Sequence, residues 1–182
     1  MVAGMQYQEV VDFWFSQLEP KQWWVKDKKL DATISDRFGA LYLDATQSNL
    51  FEWRDSPRGR LAEILILDQF SRNIYRDQPS AFAADPLALA LSQEAVRAGA
   101  DESLDASERA FLYMPHMHSE STRVHEVALA LFENGAKGNF EFERRHKAII
   151  DRFGRYPHRN AILGRQSTAE EVEFLAQPGS GF

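Results

Sequence analysis

Leu61-Ala62-Glu63-Ile64-Leu65-Ile66-Leu67-Asp68-Gln69-Phe70-Ser71-Arg72-Asn73-Ile74 is the stretch that decides how this chain folds. Wound as a helix at about 100° per residue, its apolar side chains Leu61, Ile64, Leu65, Ile66, Leu67, Phe70 and Ile74 occupy nearly the whole circumference. A helix that is apolar on every side is covered on every side, so this one is expected at the centre of the fold. Asp68 and Arg72 interrupt that surface. They stand four residues apart, between Leu61 and Leu65 on the helical wheel, within reach of each other. A charge taken out of water costs several kcal/mol unless it is well paired. The two side chains therefore either close on each other as a structural pair or line an internal cavity.

The flanking sequence is helical in the same way. Val10, Val11, Trp14, Phe15 and Leu18 form one stripe, stopped by Pro20; Ile34, Phe38, Leu41, Tyr42 and Ala45 form another, opening near Asp27 or Asp31. Ser56-Pro57 reads as an N-cap followed by a proline whose missing N–H costs nothing, and Asp85-Pro86 repeats the device. Asp105-Ala106-Ser107-Glu108 and Ser167-Thr168-Ala169-Glu170 have capping-box spacing. Pro115 is expected to interrupt the helix that carries Phe111 and Leu112. In Phe142, His146, Ile149, Ile150 and Phe153 a histidine occupies an apolar stripe, most simply as a hydrogen-bonded core residue. No window alternates apolar and polar residues long enough to demand a strand. The expectation is an all-α fold of eight or nine helices with short connections, one domain over residues 1–182, structured from 5 to 176 and frayed from 177 to 182.

Composition bounds the function classes. The chain has 182 residues, 44% of them hydrophobic and thirteen of them Phe, enough for one core without a metal or a disulfide. It has no Cys, which removes thiolate nucleophiles, disulfides and cysteine zinc sites together and fits a reducing cytoplasm. Met1-Val2-Ala3-Gly4-Met5-Gln6 has no basic segment ahead of an apolar run, so no secretory signal is expected, and no apolar run approaches the roughly 20 residues of a membrane span. A net charge of −6 argues against nucleic acid as a partner. The charge is uneven: Glu143 to Arg165 holds seven Lys or Arg against two acids, +5 in all, which leaves −11 elsewhere. A basic island on an acidic protein suits a small anion, unless its side chains are paired with acids across the fold.

Three polar constellations remain. The first is Asp68-Gln69-Phe70-Ser71-Arg72-Asn73. The second is Met114-Pro115-His116-Met117-His118-Ser119-Glu120, whose alternating His116, His118 and Glu120 match no established zinc helix, so no metal and no cofactor are assigned. The third is Arg155-Tyr156-Pro157-His158-Arg159-Asn160, followed by Gly164-Arg165-Gln166-Ser167-Thr168, where arginine forks beside helix starts suit a carboxylate or phosphate. The chain has no glycine-rich phosphate loop and no G-x-S-x-G elbow, and Ser119 beside His118 is adjacency rather than geometry. Trp23-Trp24 reads as a core or groove aromatic pair.

Asp68-Gln69-Phe70-Ser71-Arg72-Asn73-Ile74-Tyr75-Arg76, Met117-His118-Ser119-Glu120 and the run Arg152 to Arg165 strongly resemble a bacterial family known as domain of unknown function 924, over about Val10 to Leu175. The resemblance implies a right-handed helical stack similar to tetratricopeptide repeats, and it carries no established activity. It also implies a set of matching polar positions: Asp68, Gln69, Arg72, Asn73, His118, Ser119, Glu120, His146, His158, Arg159 and Asn160. Ser71 departs from it, where the family often has Pro, and so does His116, where the family is usually apolar or aromatic.

Two readings of function follow. In one, the stack binds a small anionic ligand or a peptide through Asp68, Gln69, Arg72, Asn73, Ser119, His146, Arg159 and Asn160. In the other, it is an enzyme acting on a small anionic metabolite: His118 or His158 is the general base, Glu120 or Asp68 orients it, and Arg72 and Arg159 clamp the substrate. A scaffold in which the motifs are core glue is compatible with either.

Overall fold

The computed structural model describes residues 6–181; the reading of the N-terminal segment rests on Met1 to Met5 and so, like Phe182, lies outside them. The helices are α1 (Tyr7–Asp12), α2 (Lys28–Thr46), α3 (Pro57–Leu65), α4 (Ser71–Ile74), α5 (Asp85–Arg97), α6 (Ala106–Met117), α7 (Thr122–Gly135), α8 (Phe140–Phe153) and α9 (Ala169–Leu175). The described residues contain no strand, so the fold is all-α. None of their helices is long and apolar enough to cross a membrane.

The helix apolar all round is central. Leu61, Ile64, Leu65, Ile66, Leu67 and Phe70 are fully buried, and α3 packs on α1, α5 and α6 while the residues after it lie against α2. The rings of Phe13, Trp14 and Phe38 close on Phe70, with Phe38 only 4.9 Å from it centroid to centroid. Between α3 and α4 the backbone widens into a π turn, Ile66–Phe70, which carries Asp68 and Gln69. Such single wide turns recur at functional positions because they re-aim the side chains that follow. From α5 onward each helix packs on the next, α5 on α6, α6 on α7 and α7 on α8.

Local chemistry explains most helix starts. Asp27 caps α2 through the N–H groups of Lys29 and Leu30. Ser56 caps α3 by accepting from the Gly59 N–H at 3.0 Å, ahead of Pro57. Gly59 is required there, since a Cβ would stand 1.9 Å from the Trp53 carbonyl oxygen. Asp105 and Glu108 form the expected box.

Three expectations are corrected. Thr168, one residue later than the spacing suggested, caps α9 and boxes with Glu171, while Ser167 Oγ accepts from the Asn160 amide at 3.1 Å. Asp85 does not cap α5: Ala84 is the N-cap, and the Asp85 carboxylate turns instead to arginines. Pro115 does not end α6, which runs through it to Met117 with every residue from Ala110 onward buried against α3, α5 and α7. Packing holds that helix together where the ladder lacks a donor. The chain breaks three residues later, at His118 to Ser121.

Most of the basic island is paired with acids, Arg159 only loosely, at 3.6 Å. Arg144 and Arg145 face Glu141, Lys147 faces Asp151, Arg152 faces Glu170, Arg155 faces Glu171, Arg159 faces Asp85 and Arg165 faces Glu120. After α9 the chain turns back toward α9 and His158 as far as Gly181. Ser180 Oγ donates to the Leu175 carbonyl at 3.1 Å, and a Cβ on Gly181 would lie 3.8 Å from that of His158.

Candidate functional site

The π turn sets the first element of the site. Asp68 is 1% exposed, and its carboxylate takes three polar neighbours: His118 Nδ1 at 2.7 Å, Gln69 Nε2 at 2.6 Å and Arg72 Nη1 at 3.5 Å. Burial alone would push this carboxyl up. The charges of His118 and Arg72, with the hydrogen bonds from His118 and Gln69, override burial and hold it down at about 2. Burial also pushes His118 below the ordinary imidazole range, with the Arg72 charge acting in the same direction and Asp68 against both. Asp68 is therefore the ionised partner, and the balance on His118 runs toward the neutral imidazole. An ionised carboxylate only accepts, so the neutral ring of His118 carries its proton on Nδ1 and presents an unprotonated Nε2. No described residue donates to that nitrogen.

Arg72 continues the chain of charges. It donates to the Asp68 carbonyl at 2.6 Å and grips Asp85 with both Nη atoms at 2.9 Å, so its fork is committed. Asp85 also faces Arg159 Nη1 at 3.6 Å. Arg159 differs sharply from Arg72. Its guanidinium lies over the rings of Phe82 and Tyr156, 4.7 and 4.6 Å from their centroids, with its side chain only 8% exposed. The guanidinium makes no hydrogen bond to any described residue, and its buried Nε has no partner. Burial and the neighbouring Arg72 charge lower its pKa from the ordinary arginine value.

A second network holds the loop in place. Glu120 accepts from the Tyr156 N–H at 2.8 Å and from both Nη atoms of Arg165 at 2.7 and 2.9 Å. Arg165 Nε donates to Asn160 Oδ1 at 2.9 Å, and the Asn160 amide reaches Ser167 and Glu171. Burial first, then the Arg159 charge, hold His158 down at about 4; its ring lies 5.5 Å from that of Tyr156 and within the electrostatic reach of Glu120, His118 and Arg72. His146 donates its Nδ1 proton to the Phe142 carbonyl at 2.7 Å, and burial holds it at about 3.

A second histidine–carboxylate pair escaped sequence reasoning altogether. His125 of α7 and Glu143 of α8 are fully buried, 2.7 Å apart through Nδ1 and Oε1. His125 Nε2 lies 2.8 Å from the Ser119 carbonyl oxygen. A carbonyl only accepts, so this nitrogen carries a proton, and the pair shares one more between Nδ1 and Glu143. Tyr156 Oη donates to the Met117 carbonyl and lies 3.3 Å from His125 Nε2.

The candidate positions thus divide. Asp68, Gln69, Arg72, His118 and Arg159 form one charge chain, with His158 and His146 against Tyr156 beside it. Glu120 and Asn160 are joined by Arg165 and brace the loop; Glu120 does not touch His118, whose carboxylate partner is Asp68. Asn73 turns to Asp31 of α2 at 2.8 Å, and Ser119 Oγ accepts from the Ser121 N–H at 3.2 Å. His116 meets Ser92 at 3.2 Å inside the core, and among the described residues no group of three His, Asp or Glu side chains is placed to hold a metal. Recesses of about 440 and 430 Å³ lie elsewhere on the surface, one around Glu19, Lys21 and Asp27, the other around Phe142, Ile149 and Phe174.

Fold and motifs define an all-helical protein with a histidine–aspartate–arginine cluster at a helix break. Residues 10–179 match the family model described as bacterial protein of unknown function (DUF924), and the chain belongs to that family. It is also similar to the solved structure of a protein of unknown function from Agrobacterium tumefaciens: 35% identity, 93% of this chain and 96% of that one covered, TM-score 0.89. No curated protein matches the chain.

Proposed function

We propose that the protein binds a small anion, a carboxylate or phosphate-bearing metabolite, between Arg159 and His118, on a tetratricopeptide-like stack that forms one domain in the cytoplasm. The observation that carries this is Arg159: a buried guanidinium with five N–H donors, no hydrogen bond and one ion contact at 3.6 Å. A buried cation so poorly paired destabilises the empty protein, and an anion is the partner that relieves it. Arg72 contributes charge rather than donors, because Asp85 and the Asp68 carbonyl already occupy its fork. The consecutive packing of α5 to α8 supports the stack, and the absence of Cys supports the compartment.

A second reading, an enzyme acting on such an anion, is favoured by one observation. Asp68 fixes the His118 tautomer as an orienting carboxylate does for a general base. The test of the anion site is calorimetric titration and thermal shift with phosphate and with two- to four-carbon carboxylates. Wild type is expected to bind at least one and to melt higher with it. Arg159→Met is expected to lose that response while its ligand-free melting temperature holds or rises. Unchanged binding in Arg159→Met, or no binding in wild type, overturns the proposal.

A further inference from the structure

The ligand side of this cluster is not uniformly positive, and that narrows what fits it. Arg159 offers only donors. As a neutral ring His118, with Nδ1 engaged by Asp68 at 2.7 Å, offers only an acceptor, the bare Nε2. The His118 side chain is 16% exposed, and Asp68 holds it through Nδ1. The two groups share one neighbourhood: Arg72 bridges Asp68 and Asp85, Asp85 faces Arg159, and His158 lies within the fields of both His118 and Arg159.

A simple anion such as acetate or an alkyl phosphate dianion is made of acceptors. It satisfies Arg159 and leaves Nε2 facing another lone pair, which costs the site a hydrogen bond. We infer that the ligand of this site is a hydroxy-anion: a small carboxylate or phosphate ester whose hydroxyl donates to His118 Nε2 while its anionic group meets Arg159. The inference rests on the anion-binding reading above and adds the donor. The same hydrogen bond, a ligand O–H to a bare imidazole nitrogen, is the ground state from which a general base takes a hydroxyl proton, so a hydroxy-anion also satisfies the enzyme reading.

The test uses matched pairs that differ by one hydroxyl: glycolate against acetate, malate against succinate, and glycerol 3-phosphate against propyl phosphate, each titrated calorimetrically into the intact protein at pH 7.5. At least one hydroxylated member is expected to bind tenfold or more tighter than its partner, because an acceptor that the ligand covers rejects the analogue that leaves it unpaired. His118→Phe is expected to erase the difference and keep the weaker affinity of the deoxy member. Should that variant not fold, the wild-type pairs decide alone. Equal affinities within every pair that binds overturn the hydroxyl inference and leave the anion site standing. Failure of all six compounds to bind removes both.

Discussion

Two histidine–carboxylate pairs flank the same helix break, each closed at 2.7 Å, and they are chemically opposite. His118 pairs with a carboxylate that Arg72 and Gln69 also stabilise, and its second nitrogen is uncommitted. His125 pairs with a carboxylate whose Oε2 is buried without a partner, and its second nitrogen is spent on the Ser119 carbonyl. Burial pushes the Glu143 carboxyl up, offset only in part by His125 and Lys147, whereas Asp68 is held at about 2. One pair is polarised outward and the other is sealed. Identical distances do not make identical roles; the remaining lone pairs and protons decide them.

Acid should separate the two pairs from the shell around them, and it carries the largest effect. Burial holds His116 and His158 at about 4 and His146 at about 3, each below the value near 6.5 of an unfolded chain. A histidine with a depressed folded pKa is neutral when the unfolded chain already binds the proton. Stability is therefore fully present above pH 6.5 and falls as the pH drops from 6.5 toward 4. The three together should remove on the order of 5 kcal/mol between pH 7.5 and 5. Asp68 adds nothing in that window, since its contribution fades only as the pH falls from about 4 toward 2. Urea midpoints at half-unit intervals check this, and a flat profile down to pH 5 would show that these histidines are hydrated and charged in the folded protein.

Truncating one histidine from each pair tests the contrast directly. His125→Ala strands Glu143 at zero exposure and should cost about 3–5 kcal/mol, the usual penalty for an orphaned buried charge. His118→Ala leaves Asp68 with Arg72 and Gln69 and should cost about 1–2 kcal/mol, the scale of one hydrogen bond to a charged group. Denaturant midpoints of the two variants rank them. If His118→Ala proves the more damaging, the outward pair is the structural one and the site belongs elsewhere.

The division between what could and could not be read from sequence follows the same line. Periodicity located the buried helix because Leu61 to Phe70 leave no polar face, and the anomaly of Asp68 and Arg72 within it was visible for that reason. Asp85 was hidden by its own proline: Asp-Pro has the form of a helix start, and nothing local shows that the carboxylate turns to Arg72 thirteen residues earlier. Glu143 was hidden in the charged run Glu141 to Arg145, which reads as a solvated face. A usable signal did exist. Glu143, His146 and Ile150 recur at i, i+3 and i+7 in α8, as His125, Ala128 and Phe132 do in α7, so both members of the sealed pair sit on core stripes. Arg159 was legible as an arginine beside a turn, but its lack of donors' partners is a fact of three dimensions alone.

The last prediction perturbs nothing and cuts deepest into the comparison. Nitrogen-15 chemical shifts of the imidazole rings, read through two-bond couplings at pH 7.5, report which ring nitrogen carries the proton. His118 is expected as the Nδ1–H tautomer with an unprotonated Nε2, because its only described partner on Nδ1 is an ionised carboxylate. His125 is expected with Nε2 protonated, because a carbonyl oxygen faces it. Adding a hydroxy-anion that binds should move the His118 Nε2 resonance in the direction of hydrogen-bond acceptance and leave both His125 nitrogens where they were. A protonated Nε2 on His118 would reverse the polarity of the outward pair. The site would then offer donors from both His118 and Arg159, a plain anion would fit it better than a hydroxylated one, and the general-base reading would lose its base.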